Sequence, residues 1–244
     1  METIDGHPGF ISGSSYVGEG LPINTFYLKK FAGVDPQTGL SQWYMDKTDA
    51  SGKTLRDVTT TYSEASYYLC GDPIPDLYGG FGTSLSIGGF DMAMAFTYQI
   101  GGLAYDSGYA TFMASPVYTS LGMNFHKDVL KAWTPEHPDT DVPRLDGDTS
   151  VGQTAVDNYL ISSNFLSVNN ITIGYSLPAT VTSRMKISGL RIYVAGDNLA
   201  VVSARRGVDP RYSMGLGSFT SGSGLNSGSY SAMRTVTGGI TLTF

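Results

Sequence analysis

Three histidines (His7, His126, His137), a single cysteine (Cys70) and 21 acidic side chains are the groups in this chain that could do acid–base, metal or nucleophilic chemistry. Their spacing does not assemble a known constellation. The histidines are far apart, with no HExxH pair, and His126 and His137, which flank Asp128 and Glu136, read as solvated loop residues. Asp139, Asp141, Asp146 and Asp148 are of the right type for calcium, but Pro143 stands where an EF-hand loop wants a ligand. Ser183 and Lys186 have SxxK spacing without the partner motifs of an acyl-enzyme. Asn170-Ile171-Thr172 matches a glycosylation acceptor but falls in a strand pattern. No glycine-rich loop leads from a strand into a helix. The expectation is no catalytic residue, no metal and no cofactor.

Aromatic side chains are the remaining candidates. Trp43, Tyr44, Tyr67, Tyr68, Tyr78 and Trp133 lie in predicted outer loops, where flat rings suit stacking on sugars or a structural belt. A structural role is the more economical reading of any one of them. Trp43, Tyr44, Tyr78 and Trp133 are kept as candidates for substrate contact.

What must position such groups is a set of strands. In Arg234–Phe244, Val236, Gly238, Ile240, Leu242 and Phe244 alternate with Thr235, Thr237, Gly239, Thr241 and Thr243. A period of two puts one face in an apolar medium and the other in a polar one, and about 9–11 tilted residues span a bilayer as a barrel strand. Composition agrees. The 244 residues are only 15% charged, with 31 Gly, 16 Tyr and 11 Phe, which favours strands and turns over helices. A net charge of −6 and only two tight basic pairs, Lys29-Lys30 and Arg205-Arg206, argue against a nucleic-acid partner. The mean hydropathy of −0.05 is what alternating strands average to.

Two hairpins stand out. Phe81, Thr83, Leu85 and Ile87 share a face; Gly88-Gly89 is a two-residue turn; Phe90, Met92, Met94, Phe96, Tyr98 and Ile100 return with Ile87 opposite Phe90. Phe165–Leu177 carries Leu166 and Val168 in one phase and Ile171, Ile173, Tyr175 and Leu177 in the other, a slip that reads as a bulge at Asn169-Asn170. Residues 177–189 turn through one helical turn opened by Pro178, and Leu190, Ile192, Val194 and Gly196 follow. Residues 9–17 and 24–33 are further strand candidates. Residues 34–78 read as a long loop, with Thr61–Leu69 able to pair as hairpins. Residues 102–162 are another long connection, with a short helix expected at His126–Ala132. Twelve of the 19 residues 213–231 are Gly or Ser and read as loop. Short links (88–89, 178–189) alternate with long ones (34–78, 102–162, 200–233), the asymmetry of an up-and-down outer-membrane barrel.

The runs NFLSVNNITIGYSLP (164–178), ISGLRIYVAGDNL (187–199), GVDPR (207–211) and the closing RTVTGGITLTF, preceded by GLPINTFYLKKFAGVDPQTG (20–39), Pro-Asp-Leu-Tyr-Gly-Gly at 75–80, Gly89-Phe90-Asp91, and Trp133 followed by Pro143-Arg144, resemble SusC/RagA-type TonB-dependent outer-membrane transporters over essentially the whole chain. The resemblance implies a large plugged barrel that imports glycans, oligosaccharides or peptides, with outer-membrane lipid, a SusD-like surface lipoprotein and TonB as partners. It also implies that Phe244 is the carboxy-terminal aromatic read during membrane insertion. The fold expected for residues 1–244 is therefore all-β: the C-terminal portion of an antiparallel up-and-down transmembrane barrel. It would have about seven spanning strands and long outer loops, with the plug domain and N-terminal strands outside this stretch. METIDGHPGF has neither the basic nor the apolar region of a secretory signal, so for an outer-membrane protein either Met1 is not the natural start or the chain is a piece of something longer. The alternative is a secreted β-sandwich that binds glycans through its loops.

Overall fold

The computed structural model describes residues 2–113, 124–145, 155–204, 209–212 and 232–244. In chain order the strands are β1 (Glu2–Ile4), β2 (His7–Ser12), β3 (Ser15–Gly18), β4 (Thr25–Lys29), β5 (Phe31–Val34), β6 (Ser41–Thr48), β7 (Thr54–Thr59), β8 (Tyr67–Leu69), β9 (Leu77–Ile87), β10 (Phe90–Ile100), β11 (Leu103–Tyr105), β12 (Leu160–Ser162), β13 (Phe165–Ser176), β14 (Gly189–Ser203) and β15 (Thr235–Thr243). Two short α-helices, α1 (Ser107–Met113) and α2 (Ala179–Thr182), and a few 3-10 turns complete the described elements. None of the described helices is long and apolar enough to cross a membrane.

The chain divides into two compact units. In the second, β9, β10, β13, β14 and β15 form one five-stranded antiparallel sheet in which chain neighbours are also sheet neighbours. The first hairpin closes as its alternation predicts: Phe90 pairs with Ile87, and Gly88 and Gly89 both take the positive φ (58° and 86°) that a tight hairpin turn requires. The slip at Asn169-Asn170 is a bulge, with Ala95 opposite Asn170 and Phe96 opposite Val168. Pro178 precedes α2, as expected.

The first unit differs from expectation. The candidate strands over 9–17 and 24–33 are real but break into β2–β5, of four to six residues each; Gly13 at φ 60° turns the chain between β2 and β3. Strands of spanning length among the described residues are therefore five, not about seven. Residues 34–78 are not one loop. Asp49 accepts hydrogen bonds from the Ser51 and Lys53 amides, and this turn folds β6 and β7 into a hairpin. Thr61–Leu69 does not pair with itself; β8 pairs with β4. The connection 102–162 includes β11, α1 and β12, and the helix expected at His126–Ala132 is a 3-10 turn over Lys127–Lys131. Asp146, Asp148, Arg205, Arg206 and the Gly/Ser run 213–231 lie outside the described residues.

Burial separates the units. Among the described residues, every buried hydrophobic side chain (Tyr16, Phe26, Leu28, Trp43, Ala65, Ala104, Tyr105, Ala110, Val129, Val156) belongs to the first unit, where Phe26, Leu28, Tyr105 and Ala110 form one cluster and Trp43, Ala65 and Val156 another. The buried side chains of the second unit are Gln99, Ser163, Ser167, Thr182, Asp209 and Pro210. Among the described residues this unit has a single sheet, not the two facing layers of a sandwich, whose core would lie between them.

Candidate functional site

The pairing registers sort the second unit into two faces. One carries Leu85, Ile87, Phe90, Met92, Met94, Phe96, Leu166, Ile171, Ile173, Tyr175, Ile192, Val194, Val236, Ile240 and Leu242, side by side across all five strands. Many of these are exposed, Ile240 by 66% and Val194 by 54%. Water-soluble proteins rarely show a contiguous apolar surface of this extent.

The opposite face carries Ser84, Ser86, Asp91, Thr97, Asn170, Thr172, Arg191, Tyr193, Asp197, Thr235, Thr237 and Thr241, with Gly and Ala between them. Several of its polar groups bond to one another. Near the two short turns, Arg191 holds Asp91 in a bidentate pair (Nε to Oδ1 3.0 Å, Nη2 to Oδ2 2.5 Å). Arg191 also lies against the Tyr193 ring, 5.1 Å from its centre. Glycines make room: a Cβ on Gly174 would fall 2.6 Å from Asp91 Oδ1, and one on Gly239 2.5 Å from the Tyr193 ring. Toward the other end, Asn170 Nδ2 donates to Asp197 (2.7 Å) and Thr172 to Asn170 Oδ1 (3.0 Å). Asp91 and Arg191 were not singled out in the sequence; their signal was a charge in the polar phase of an otherwise neutral strand.

Four of the aromatic candidates are on two strands of the first unit, Trp43 and Tyr44 on β6 and Tyr67 and Tyr68 on β8; Trp133 and Tyr78 are on neither. Trp43 is on β6, 2% exposed, edge-on to Tyr62 at 5.2 Å; a ring without an open face cannot stack on a sugar. Trp133 donates from Nε1 to the Pro36 carbonyl (3.2 Å) and covers Gly39, so it braces the 35–39 turn. Tyr44 is on β6, with the Arg56 guanidinium 5.7 Å from its ring; the same guanidinium is 4.9 Å from Tyr68. Tyr67 stacks on Tyr27 at 5.2 Å. Tyr78 is on β9, not in a loop, opposite Gln99 on the polar face and 76% exposed. Phe244 follows β15 and is 89% exposed.

Titratable groups in the first unit serve packing. Lys29 is buried with its ammonium 4.0 Å from the centre of the Tyr62 ring and 5.0 Å from that of Tyr67, donating to the Tyr62 carbonyl, and burial lowers its pKa. Burial raises Tyr62 to about 12 and Cys70 to about 11. Asp128 gathers Lys131 (3.0 Å), Tyr109 (3.1 Å) and His126 (3.2 Å), and the Lys131 hydrogen bond is the main cause holding its carboxyl below the usual range. His137 pairs locally with Thr134. Among the described residues, no three His, Cys, Asp or Glu side chains are placed to hold a metal ion.

Comparison with known proteins adds to this geometry. No protein-family model matches the chain. TonB-dependent receptor P3 of Formosa agariphila is 28% identical over 258 aligned positions, covering 99% of this chain and 24% of the relative. TonB-dependent receptor P26 of the same organism is 29% identical over 246, covering 93% and 23%. The RagAB peptide importer superposes in its closed-closed state with a TM-score of 0.71 at 26% identity, over 95% of this chain and 24% of that one. In its open-open state the TM-score is 0.73 at 25% identity, over 100% and 25%. The chain thus spans about a quarter of the length of the proteins it matches. By name these proteins are receptors and an importer, and this chain is similar to them over 93–100% of its length, with the two-faced antiparallel sheet that a barrel wall requires.

Proposed function

We propose that this chain is the C-terminal part of the barrel of a TonB-dependent outer-membrane importer, its large apolar face against lipid and its hydroxyl- and amide-rich face toward the lumen. The observation that carries the reading is the inverted burial of the second unit, which covers Gln99, Ser163, Ser167 and Asp209 while leaving Ile240, Val194 and Leu242 open. In water such a sheet would lose the hydrophobic stabilisation of folding; in a bilayer the apolar face is at no disadvantage. The cargo is a glycan, an oligosaccharide or a peptide too large for a porin, and the solved peptide importer favours the peptide. The wall has no chemistry of its own. TonB acts through a plug supplied by the rest of the protein, and a SusD-like lipoprotein closes the outer mouth. Tyr78, open on the polar face, is the aromatic candidate best placed to meet cargo, and Phe244 is the insertion signal.

Fractionation of cells expressing the complete protein tests this. It should stay with outer membranes through an alkaline wash and need detergent for release. Recovery as a detergent-free monomer would overturn the reading.

A further inference from the structure

The bulge between β13 and β14 does more than shift register. Asn198, opposite it, sits at φ 52°, in the left-handed region, and its side chain has two partners. Its Oδ1 accepts from Arg211 Nη1 (3.3 Å) and its Nδ2 donates to the Met233 carbonyl (3.5 Å). One amide thereby ties both roots of the connection between β14 and β15. Arg211 is the other half of the fastening. Its guanidinium grips Asp209 through Nε to Oδ1 (2.9 Å) and Nη2 to Oδ2 (2.6 Å), and Nη1 also donates to Ser167 Oγ (3.0 Å). Ser167 in turn donates to Asn169 Oδ1 (2.7 Å), which also accepts from Thr97 (3.1 Å). Asp209 and Ser167 are buried, Ser167 at 0% exposure. Buried charge-assisted bonds of this kind hold geometry closely.

We infer that Asp209-Pro210-Arg211 is a clasp that fastens the chain beyond β14 onto the polar face of the wall, covering Ser167. Resting on the importer reading, the clasp replaces part of the strand surface as the lining of the passage. Arg211 is then a positioning residue for that lining. The left-handed backbone of Asn198, a conformation Asn adopts more readily than other side-chain-bearing residues, turns its amide toward the clasp. The ion pair is internally neutral, so the covered patch presents no net charge to cargo. Asp197, which accepts from Asn170 Nδ2, stays on the open strand face beside it.

The test is thiol accessibility in the complete protein, with Cys70→Ala and Ser167→Cys, in isolated outer membranes, probed with a charged maleimide and read against the same protein lacking Cys at 167. Sealed under the clasp, position 167 should label slowly. Adding Arg211→Ala should speed labelling by at least about tenfold, the factor set by losing one charged hydrogen bond, and Arg211→Lys should fall between. If Arg211→Ala does not reach the membrane folded, Asp209→Asn is the second variant and should show the same direction. Equal rates with and without the clasp residues, whether both fast or both blocked, overturn the inference. If the protein fractionates as soluble, the importer reading fails while the rate comparison, made in buffer, still decides the clasp.

Discussion

The Asp91 carboxylate and the Arg191 guanidinium meet directly over the backbone of Gly174, joining β10 to β14 across the intervening strand. The glycine is required by the side chains above it, not by its φ. A Cβ there must displace one partner. Gly174→Val should destabilise the folded protein by about 1–3 kcal/mol, an overpacking cost. Most of that cost should vanish in an Asp91→Ala/Arg191→Ala background, because the obstacle is then gone. Denaturant midpoints of the four proteins check this; an unchanged cost in the truncated background would show the glycine answers to something else.

Face assignment is tested by two adjacent residues. Met94 pairs with Thr83 and Ile171 on the apolar face, while Ala95 pairs with Gly82 and Asn170 on the polar one. Both are near the middle of β10. Met94→Arg should cost about 2–4 kcal/mol of folding in lipid, the value for a cation at the bilayer midplane, and Ala95→Arg little. The folded fraction in vesicles, read by heat-modifiable migration, is the measurement. Equal losses would reject the two-faced wall.

Phe244 lies beyond the last strand pair and touches little, so its removal should hardly change the stability of protein already folded. Insertion is different. Phe244→Ala should lower the amount assembled in the outer membrane while leaving the urea midpoint of the assembled material in place. A lowered midpoint with normal assembly would make Phe244 a packing residue.

Alkaline pH should loosen the first unit. Tyr62, raised by burial to about 12, keeps its proton when the unfolded chain has lost it. Stability from this source is complete below the ordinary tyrosine value and falls as pH climbs through about 12. The loss is on the order of 2–3 kcal/mol for a shift of this size. Tyrosinate absorbance should show a late-titrating class that ionises with loss of structure. Cys70, raised to about 11, should react slowly with alkylating reagents at neutral pH until the protein unfolds. Early ionisation with structure intact, or a fast thiol, would contradict the burial described here.

Much of the second unit is legible in the chain because a strand's facing is written locally. Ile87 opposite Phe90, the slip at Asn169-Asn170 and the Thr/Val alternation of 235–243 each need only their immediate neighbours. The first unit resists where its contacts join distant stretches. Leu69 finds Tyr27, and Trp43 is buried by Tyr62, Ala65 and Val156, partners no local period announces. The polar cluster suffers likewise: Asp91 and Arg191 are separated by 100 positions. Trp133 looks like a loop aromatic in composition, yet its ring is spent on Gly39 and Pro36.

The extra residue at Asn169 also works as a phase marker. Remove it, and everything from Phe165 to Val168 turns over like a reading frame thrown out by one: Leu166 and Val168 would point inward, Phe165 and Ser167 outward. A gap misplaced here when related chains are compared would therefore invert the assignment of a whole strand end while leaving the percentage of identities almost untouched.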